Sequence, residues 1–223
     1  MRQNKSSLFT DKGVICLDRM ISMTVVKRLP RYYRYLGDLS DRGVTRISSM
    51  ELSQLMNITA SQIRQDLNNF GCFGQQGYGY NVEMLKDEIG KILGLNRVYK
   101  LVIIGAGNLG QALASYSRFA KRGFIFIGLF DINPKLVGKV VSGLTIMHVD
   151  ELKDFLDKIK PDIAVFSLPM ENARDVLDTV AKSGVKGIWN FSHLDIKNAG
   201  DIKIQSVHLT DSLMTLSYML NED

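Results

Sequence analysis

Apolar positions at helical spacing mark the first folded part of the chain. From Thr24 to Leu39 they recur every three or four residues, which predicts an amphipathic helix. Pro30 lies inside this pattern, and proline lacks the backbone N–H that an interior helical position donates. The helix is therefore expected either to begin near Leu29, with Pro30 in its first turn, or to be interrupted there.

A second, shorter helix is expected after Ser48 or Ser49, because serine is a favoured N-cap residue. Three apolar residues are expected to share its buried face: Leu52, Leu55 and Met56. The dipeptide Asn57-Ile58 then predicts a short turn.

A third helix is expected over residues 60–70, with Thr59 as its N-cap and Gln62 completing a capping box. Its buried face would carry Ile63, Leu67 and Phe70. Its outward face would carry Ser61, Gln62, Arg64, Gln65 and Asn68. Two short helices joined by a tight turn indicate a helix-turn-helix, and these polar side chains suit base edges: arginine for guanine, glutamine and asparagine for adenine. The alternative is a solvated helix face.

Glycines alternate with aromatic residues directly after this helix. Residues 71–80 contain four glycines, which predicts a tight β-hairpin, the wing of a winged helix. A linking helix is expected from about Val82 to Leu95.

The rest of the chain alternates between apolar strands and amphipathic helices, which predicts a doubly wound parallel sheet. A helix is expected after the first of these strands and should continue through Leu113, Tyr116 and Phe119. Strands are expected at residues 100–104, 124–130, 144–148, 162–167 and 187–191, and further helices near 149–159 and 171–183.

The first of these strands runs straight into the sequence Gly105-Ala106-Gly107-Asn108-Leu109-Gly110. Together with Asp131, which ends the second strand 21 residues after Gly110, it forms a dinucleotide-binding motif. The three glycines are expected to allow the tight turn, the approach of a pyrophosphate, and the packing of the helix. Asp131 would accept hydrogen bonds from ribose hydroxyls and repel a 2′-phosphate, which favours NAD over NADP. An incidental glycine turn is the alternative.

Charge is distributed unevenly. Residues 1–80 contain 11 Lys/Arg and 6 Asp/Glu, a net charge of +5, whereas residues 81–223 contain 17 of each. This excess suggests an anionic polymer as the partner of the first third, although it would also serve solubility. No apolar run is long enough to span a bilayer, and two cysteines, Cys16 and Cys72, without neighbouring histidines indicate no disulfide framework and no metal site. A cytoplasmic protein is expected.

No catalytic constellation accompanies the nucleotide motif. The three histidines, His148, His193 and His208, have no carboxylate or cysteine partner at a revealing spacing, and too few residues follow the last strand to form a substrate domain. Binding without turnover is therefore expected. Two alternatives remain: an NAD-dependent dehydrogenase with an accessory nucleic-acid module, and a DNA-binding sensor of CoA or an adenine nucleotide.

From about Val25 to Leu220 the chain resembles the Rex family of redox-sensing transcriptional repressors. The resemblance is carried by residues 28–36 (RLPRYYRYL), 61–67 (SQIRQDL), the wing, GAGNLG at 105–110, 187–191 (GIWNF) and 213–220. It implies a homodimer that binds NAD+ and NADH, occupies a palindromic operator when NADH is low, and leaves it when NADH binds. It also implies exchange of the C-terminal helix between subunits. The leucine stripe suited to that seam, or to packing within one subunit, is Leu209, Leu213, Leu216 and Leu220.

The resemblance also assigns roles to single residues. Arg64 matches a DNA-contacting position, Tyr116 contributes to the cofactor site, and Arg34 and Tyr116 match positions that relay the cofactor state. The chain departs from the family where Gln65 replaces a lysine, where Gln76 of the wing replaces an arginine, and where His208 replaces an acidic relay residue. Tyr78 of the wing completes the expected DNA contacts.

The expected organisation has five parts. They are a disordered extension or upstream-start segment (1–22), a winged-helix DNA-binding domain (23–80), a linker helix (81–97), a Rossmann NAD(H)-binding domain (98–207) and a C-terminal dimerisation helix (208–223).

Overall fold

The computed structural model describes residues 22–68, 74–75, 78–196 and 200–221. The chain divides after Asn96 into two compact units. The predicted N-terminal extension lies outside the described residues, apart from Ser22, whose hydroxyl caps the first helix by accepting from the Val25 N–H.

The first unit contains four helices and a small antiparallel sheet among its described residues. Its elements are α1 (Met23–Asp41), β1 (Arg46–Ile47), α2 (Ser49–Met56), α3 (Ala60–Leu67), β2 (Gly74–Gln75), β3 (Gly79–Asn81) and α4 (Val82–Ile92). The strands lie in the order β1-β3-β2. The helix pair α2–α3 and the hairpin β2–β3 form the predicted winged helix-turn-helix.

Helix α1 runs without interruption through Pro30, so the prediction of a start or break there is wrong. Pro30 lies on the exposed face, and the missing N–H affects only the carbonyl of Val26, one turn earlier. Leu29 and Tyr32, on the opposite face, are fully buried. Their packing outweighs the loss of a single hydrogen bond.

Local capping sets the bounds of α2 and α3. Ser48 caps α2 in a reciprocal box with Glu51, and Asn57 ends it in the left-handed conformation. The expectation that Leu55 lies on the buried face of α2 is wrong: this residue is exposed, and Ser53 lies on that face instead. The expectation that α3 runs to residue 70 is also wrong, because the helix ends at Leu67; Phe70 itself lies outside the described residues.

All four helices of this unit contribute to one apolar core. Its fully buried side chains include Leu29, Tyr32, Leu36, Leu52, Met56, Ile63 and Ile89. Because Ile89 belongs to α4, the segment predicted as a linker supplies a core helix to the first unit.

The second unit is a seven-stranded sheet with helices on both faces. Its elements are β4 (Tyr99–Ile104), α5 (Asn108–Ser115), β5 (Phe124–Asp131), β6 (Val140–Val141), β7 (Leu144–His148), α6 (Leu152–Ile159), β8 (Ile163–Phe166), α7 (Met170–Lys182), β9 (Gly187–Asn190), β10 (Lys203–Ser206) and α8 (Leu209–Leu220). The strand order is β10-β9-β8-β4-β5-β7-β6, parallel except for the pairing of β6 with β7. The predicted Rossmann architecture is confirmed, with β6 and β10 as strands that the sequence pattern did not reveal.

Successive side chains of β4 point to opposite faces of this sheet. Val102 and Ile104 pack with residues of α6 and α7, whereas Leu101 and Ile103 lie in the cluster on the other face, which includes Leu113 of α5. Both faces are therefore covered, as a parallel sheet requires.

Helix α5 ends earlier than its apolar spacing predicts. Tyr116 has an extended backbone and closes the helix, so the prediction of a helix through Phe119 is wrong. Phe119 instead makes edge-to-face contacts with Phe126 and Trp189, at centroid distances of 5.8 and 5.6 Å. These contacts with the sheet replace the next helical turn.

Candidate nucleotide-binding and nucleic-acid-binding sites

The loop between β4 and α5 has the backbone that its glycines predict. Gly105 has a φ of +102°, and a Cβ there would lie 2.5 Å from the Ser167 carbonyl oxygen. A Cβ on Gly110 would overlap the Gly105 carbonyl oxygen, so the helix packs directly on the turn. Around Gly107 a Cβ would meet no described atom within 4 Å. The loop is therefore tight on one side and open at Gly107.

The start of α5 lies beside this open position. Gly107 is the N-cap, Asn108 and Leu109 begin the helix, and no side chain of the described residues caps it. The first N–H groups of a helix have no partner within the helix and carry partial positive charge, which suits a phosphate.

Asp131 ends β5 and closes the loop. One carboxylate oxygen accepts from the backbone N–H of Ala106 at 2.7 Å, and the other accepts from that of Asn133 at 2.8 Å. Each oxygen has a second lone pair with which it can accept from a ribose hydroxyl. Asp131 and the glycine loop, which the sequence assigns to one motif, are therefore in direct contact.

A cavity of about 200 Å³ lies at the carboxyl ends of β4, β5 and β8. This is the edge where an open α/β sheet binds ligands, beside the point where the strand order reverses. The lining residues comprise Ile104, Gly105, Gly107, Phe130, Asp131, Ile132, Val149, Ser167, Leu168, Pro169, Asn172, Asp175 and Val176. The structure thus brings Gly105, Gly107 and Asp131 together, with apolar walls that can accept a flat ring.

Several lining residues were missed by the sequence analysis. Val149 follows β7, and Leu168 and Pro169 follow β8, so they come from loops distant in sequence from the glycine motif. The signal that could have found them is their position directly after parallel strands. Tyr116, predicted to contribute to the cofactor site, does not line this cavity among the described residues. Tyr116 is 49% exposed, and its ring packs edge-to-face on Phe119.

The outward face of α3 carries four of the predicted DNA contacts. Ser61, Arg64, Gln65 and Asn68 are all exposed and follow the spacing of one helix face. Arg64 donates to the Ser49 hydroxyl at 3.1 Å, at the start of α2. In the wing, Tyr78 is 68% exposed, whereas Gln76 lies outside the described residues.

Gln62 behaves differently, and the predicted capping box is wrong. Thr59 does cap α3, but the Gln62 side chain donates to Asp66 at 2.8 Å instead of turning back to Thr59. Asp66 is fully buried and also accepts from Nε and Nη2 of Arg28, at 2.7 and 2.6 Å. The Tyr32 hydroxyl donates to it at 3.0 Å. This Asp66 cluster joins α3 to α1.

Electrostatics favour the ionised form of Asp66. Burial opposes the charge, but the hydrogen bonds from Arg28, Gln62 and Tyr32 outweigh it and hold the pKa of Asp66 below its usual range. Burial and the same carboxylate raise the pKa of Tyr32, which keeps its hydroxyl proton available for donation.

None of the remaining singled-out residues except Gly105, Gly107 and Asp131 is among the described residues that line the nucleotide cavity. Arg34 is exposed on α1, with its guanidinium 5.6 Å from the centre of the Tyr35 ring. His208 directly precedes α8, and its Nδ1 is 3.1 Å from that of His193. His148 does have a carboxylate partner, contrary to the sequence-based expectation, because Asp150 is 3.1 Å from its Nδ1.

Family models match both units. One described as "Putative DNA-binding protein N-terminus" matches residues 20–68, and one described as "CoA binding domain" matches residues 96–194. None of the described helices is long and apolar enough to cross a membrane.

Similar proteins cover nearly the whole chain. A curated protein from Caldicellulosiruptor bescii named "Redox-sensing transcriptional repressor Rex" is 56% identical over 91% of this chain and 93% of its own. The crystal structure of RSP in complex with β-NAD+ and operator DNA is 53% identical, covers 92% of this chain and 94% of that chain, and has a TM-score of 0.85. The crystal structure of RSP in complex with β-NADH is 50% identical and has a TM-score of 0.84. The match covers 92% of this chain and 96% of that chain.

Proposed function

This chain belongs to the Rex family of redox-sensing transcriptional repressors, and we propose that it binds palindromic operator DNA as a homodimer and leaves it when NADH binds. The observation that carries this proposal is the contact between Asp131 and the glycine loop, in the same chain as a helix-turn-helix whose second helix, α3, has an exposed polar face. The similar protein RSP has been crystallised with β-NAD+ and operator DNA together, and with β-NADH. Because operator DNA lies in the cytoplasm, the protein acts there.

The cavity offers groups for the pyrophosphate, a ribose and the adenine ring of NAD+ and NADH. The open side of Gly107 and the first N–H groups of α5 would hold the pyrophosphate. Asp131 would accept from the ribose hydroxyls. The apolar walls, which include Ile132 and Val149, suit the adenine ring. The cofactor serves as a signal, and no residue is assigned a catalytic role.

DNA binding is assigned to the exposed face of α3 and to the wing. The net charge of +5 in residues 1–80 supplies attraction to phosphates without regard to sequence. Arg64, Gln65 and Asn68 supply groups that bind base edges. Gln62 is held by Asp66, so its contribution is to position the helix as well as to reach DNA.

Replacing Arg64 with alanine is expected to weaken operator binding by about 1–3 kcal/mol and to weaken binding to random duplex much less. The physical reason is that an arginine paired with guanine discriminates between bases, whereas phosphate attraction does not. Affinity for both duplexes is measured across a salt series.

Arg174→Ala, at an exposed position on α7, is the matched control, because it removes one positive charge from the other unit. If Arg64 contacts only phosphates, both affinities will fall together and the salt slope will shrink by about one unit.

Helix α8 supports the homodimer. None of its described residues is buried, although it carries Leu213, Met214, Leu216, Met219 and Leu220, each at least 49% exposed. Exposed apolar side chains in such number on one helix mark a surface that another element covers. Exchange of α8 with a second copy of the chain would cover it on more than one side.

Coupling between cofactor and operator is assigned to Arg34, Tyr116 and His208. The hydroxyl of Tyr116, a residue that is half exposed, and the guanidinium of Arg34 can both donate to a neutral imidazole. A neutral imidazole also carries one N–H donor, whereas a carboxylate can only accept. The relay in this chain therefore differs from one built on a carboxylate.

Titration of the protein–operator complex tests the whole proposal. NADH is expected to release the DNA at the lowest concentration among NADH, NAD+, ATP and CoA, followed by fluorescence anisotropy of labelled operator. CoA is included because residues 96–194 match a CoA-binding family model. Release by CoA or ATP, with no response to NADH, would replace the proposal with a sensor of another nucleotide. Consumption of NADH by the protein alone would indicate an enzyme.

A further inference from the structure

Two of the chain's three histidines lie side by side before the last helix. The Nδ1 atoms of His193 and His208 are 3.1 Å apart, and their rings are nearly parallel, at 23°. Both side chains are exposed to solvent. Neither is among the residues that line the nucleotide cavity. The pair thus forms a separate, accessible cluster of two nitrogen donors.

A buried asparagine holds both histidine-bearing segments in place. Asn190, 1% exposed, donates from its amide to the Leu194 carbonyl at 2.8 Å and accepts from the Ser192 N–H at 3.0 Å, which pins the chain on both sides of His193. Its backbone carbonyl accepts from the Val207 N–H at 2.8 Å, next to His208. The pair is therefore preorganised by the end of β9.

The backbone at His193 adds a second sign of a held geometry. Its φ is +59°, in the left-handed region, which residues other than glycine seldom occupy. Such a conformation persists where surrounding contacts impose it, here the hydrogen bonds of Ser192 and Leu194.

We propose that His193 and His208 together chelate a late first-row divalent metal ion, such as Cu²⁺ or Zn²⁺. With metal–nitrogen bonds of about 2.0–2.1 Å, nitrogens 3.1 Å apart subtend about 100° at the ion, between the square-planar and tetrahedral angles. No group of three or more His, Cys, Asp or Glu in the described part of the chain could hold a metal. The site therefore has two protein ligands, and water completes the coordination.

The proton balance of this step is simple. In the metal-free pair, one Nδ1–H donates to the Nδ1 lone pair of the other ring. When the metal ion binds, both Nδ1 atoms coordinate it. The ring that carried its proton on Nδ1 changes tautomer, so that this proton is now on Nε2. No oxidant or reductant is needed. The consequence is a metal bridge from the segment after β9 to the residue that precedes α8.

Copper titration of the full-length protein without an affinity tag tests the site. One equivalent of Cu²⁺ per chain is expected to bind, with two nitrogen ligands in its paramagnetic resonance spectrum, and Zn²⁺ is expected to displace it. His193→Asn keeps a residue that tolerates the left-handed backbone, and His208→Gln keeps a polar side chain. Each variant is expected to weaken Cu²⁺ binding by roughly tenfold or more, because even the loss of an outer-shell partner costs 10–100-fold.

His148→Gln is the matched control, since it removes the third histidine and leaves the pair intact; Cu²⁺ binding should be unchanged. Unchanged circular dichroism in all three variants shows that the fold is retained. Binding that survives in both His193→Asn and His208→Gln, or is lost equally in His148→Gln, overturns the proposal. Because the readout is the metal alone, the test is independent of NADH and operator DNA.

Discussion

NADH is expected to release this protein from its operator at a concentration roughly tenfold or more below that of NADPH. The reason is Asp131, which lies at the end of β5 and lines the cavity beside the glycine loop. A 2′-phosphate placed there would face a carboxylate, and like charges in contact cost several kcal/mol, whereas about 1.4 kcal/mol already corresponds to tenfold. Half-release concentrations are measured by anisotropy at fixed salt.

Asp131→Asn separates charge from hydrogen bonding. It removes the negative charge and keeps one acceptor oxygen for the Ala106 N–H, so the gap between NADH and NADPH should narrow with the loop preserved. Asp157→Asn, an exposed change on α6, should leave the gap as it is. Equal potency of NADH and NADPH on the parent protein would refute the role assigned to Asp131.

Asp66→Asn is expected to lower the free energy of unfolding of the first unit by about 3 kcal/mol. It breaks the buried pair with Arg28 and weakens the bonds from Tyr32 and Gln62. The expected loss lies at the low end for a broken buried pair, because the Arg28 side chain is 30% exposed. Urea unfolding followed by far-ultraviolet circular dichroism measures it, with the exposed Asp38→Asn on α1 as control.

The destabilisation has a defined pH dependence. Because the pKa of Asp66 is lowered in the folded protein, its charged form stabilises the fold at every pH above the ordinary aspartate value of about 4. That contribution is lost as the pH falls from about 4 through the lowered folded pKa. The difference between parent and Asp66→Asn should therefore be constant from pH 7 to 5 and shrink below 4. A difference that persists unchanged at pH 3 would show that charge is not its origin.

Features set by short-range chemistry could be predicted from the sequence. The caps at Ser48 and Thr59 depend on one hydroxyl and a neighbouring N–H, and both are present. Gly105 occupies a backbone conformation that few other residues adopt, so its position in the motif locates the turn. The alternation of strands and helices likewise predicted the parallel sheet.

Features set by distant contacts could not be predicted. Helical spacing assigned Leu55 to the core and carried α5 past Tyr116, but packing across the fold decided both. The capping motif assigned Gln62 to its own helix end, whereas a buried carboxylate on the same helix, held by Arg28 from another helix, binds it. His193 and His208 are 15 residues apart and meet only because β9 and β10 pair.

The hydrogen bond from the Ala106 N–H to Asp131 has a consequence for how fast and how tightly a nucleotide binds. It orders the glycine loop before any ligand arrives, so little backbone entropy remains to be lost on association. Association then needs no prior rearrangement of the loop, a step that would otherwise slow it. Hydrogen exchange at Ala106 should therefore already be slow in the free protein and change little on saturation with NADH.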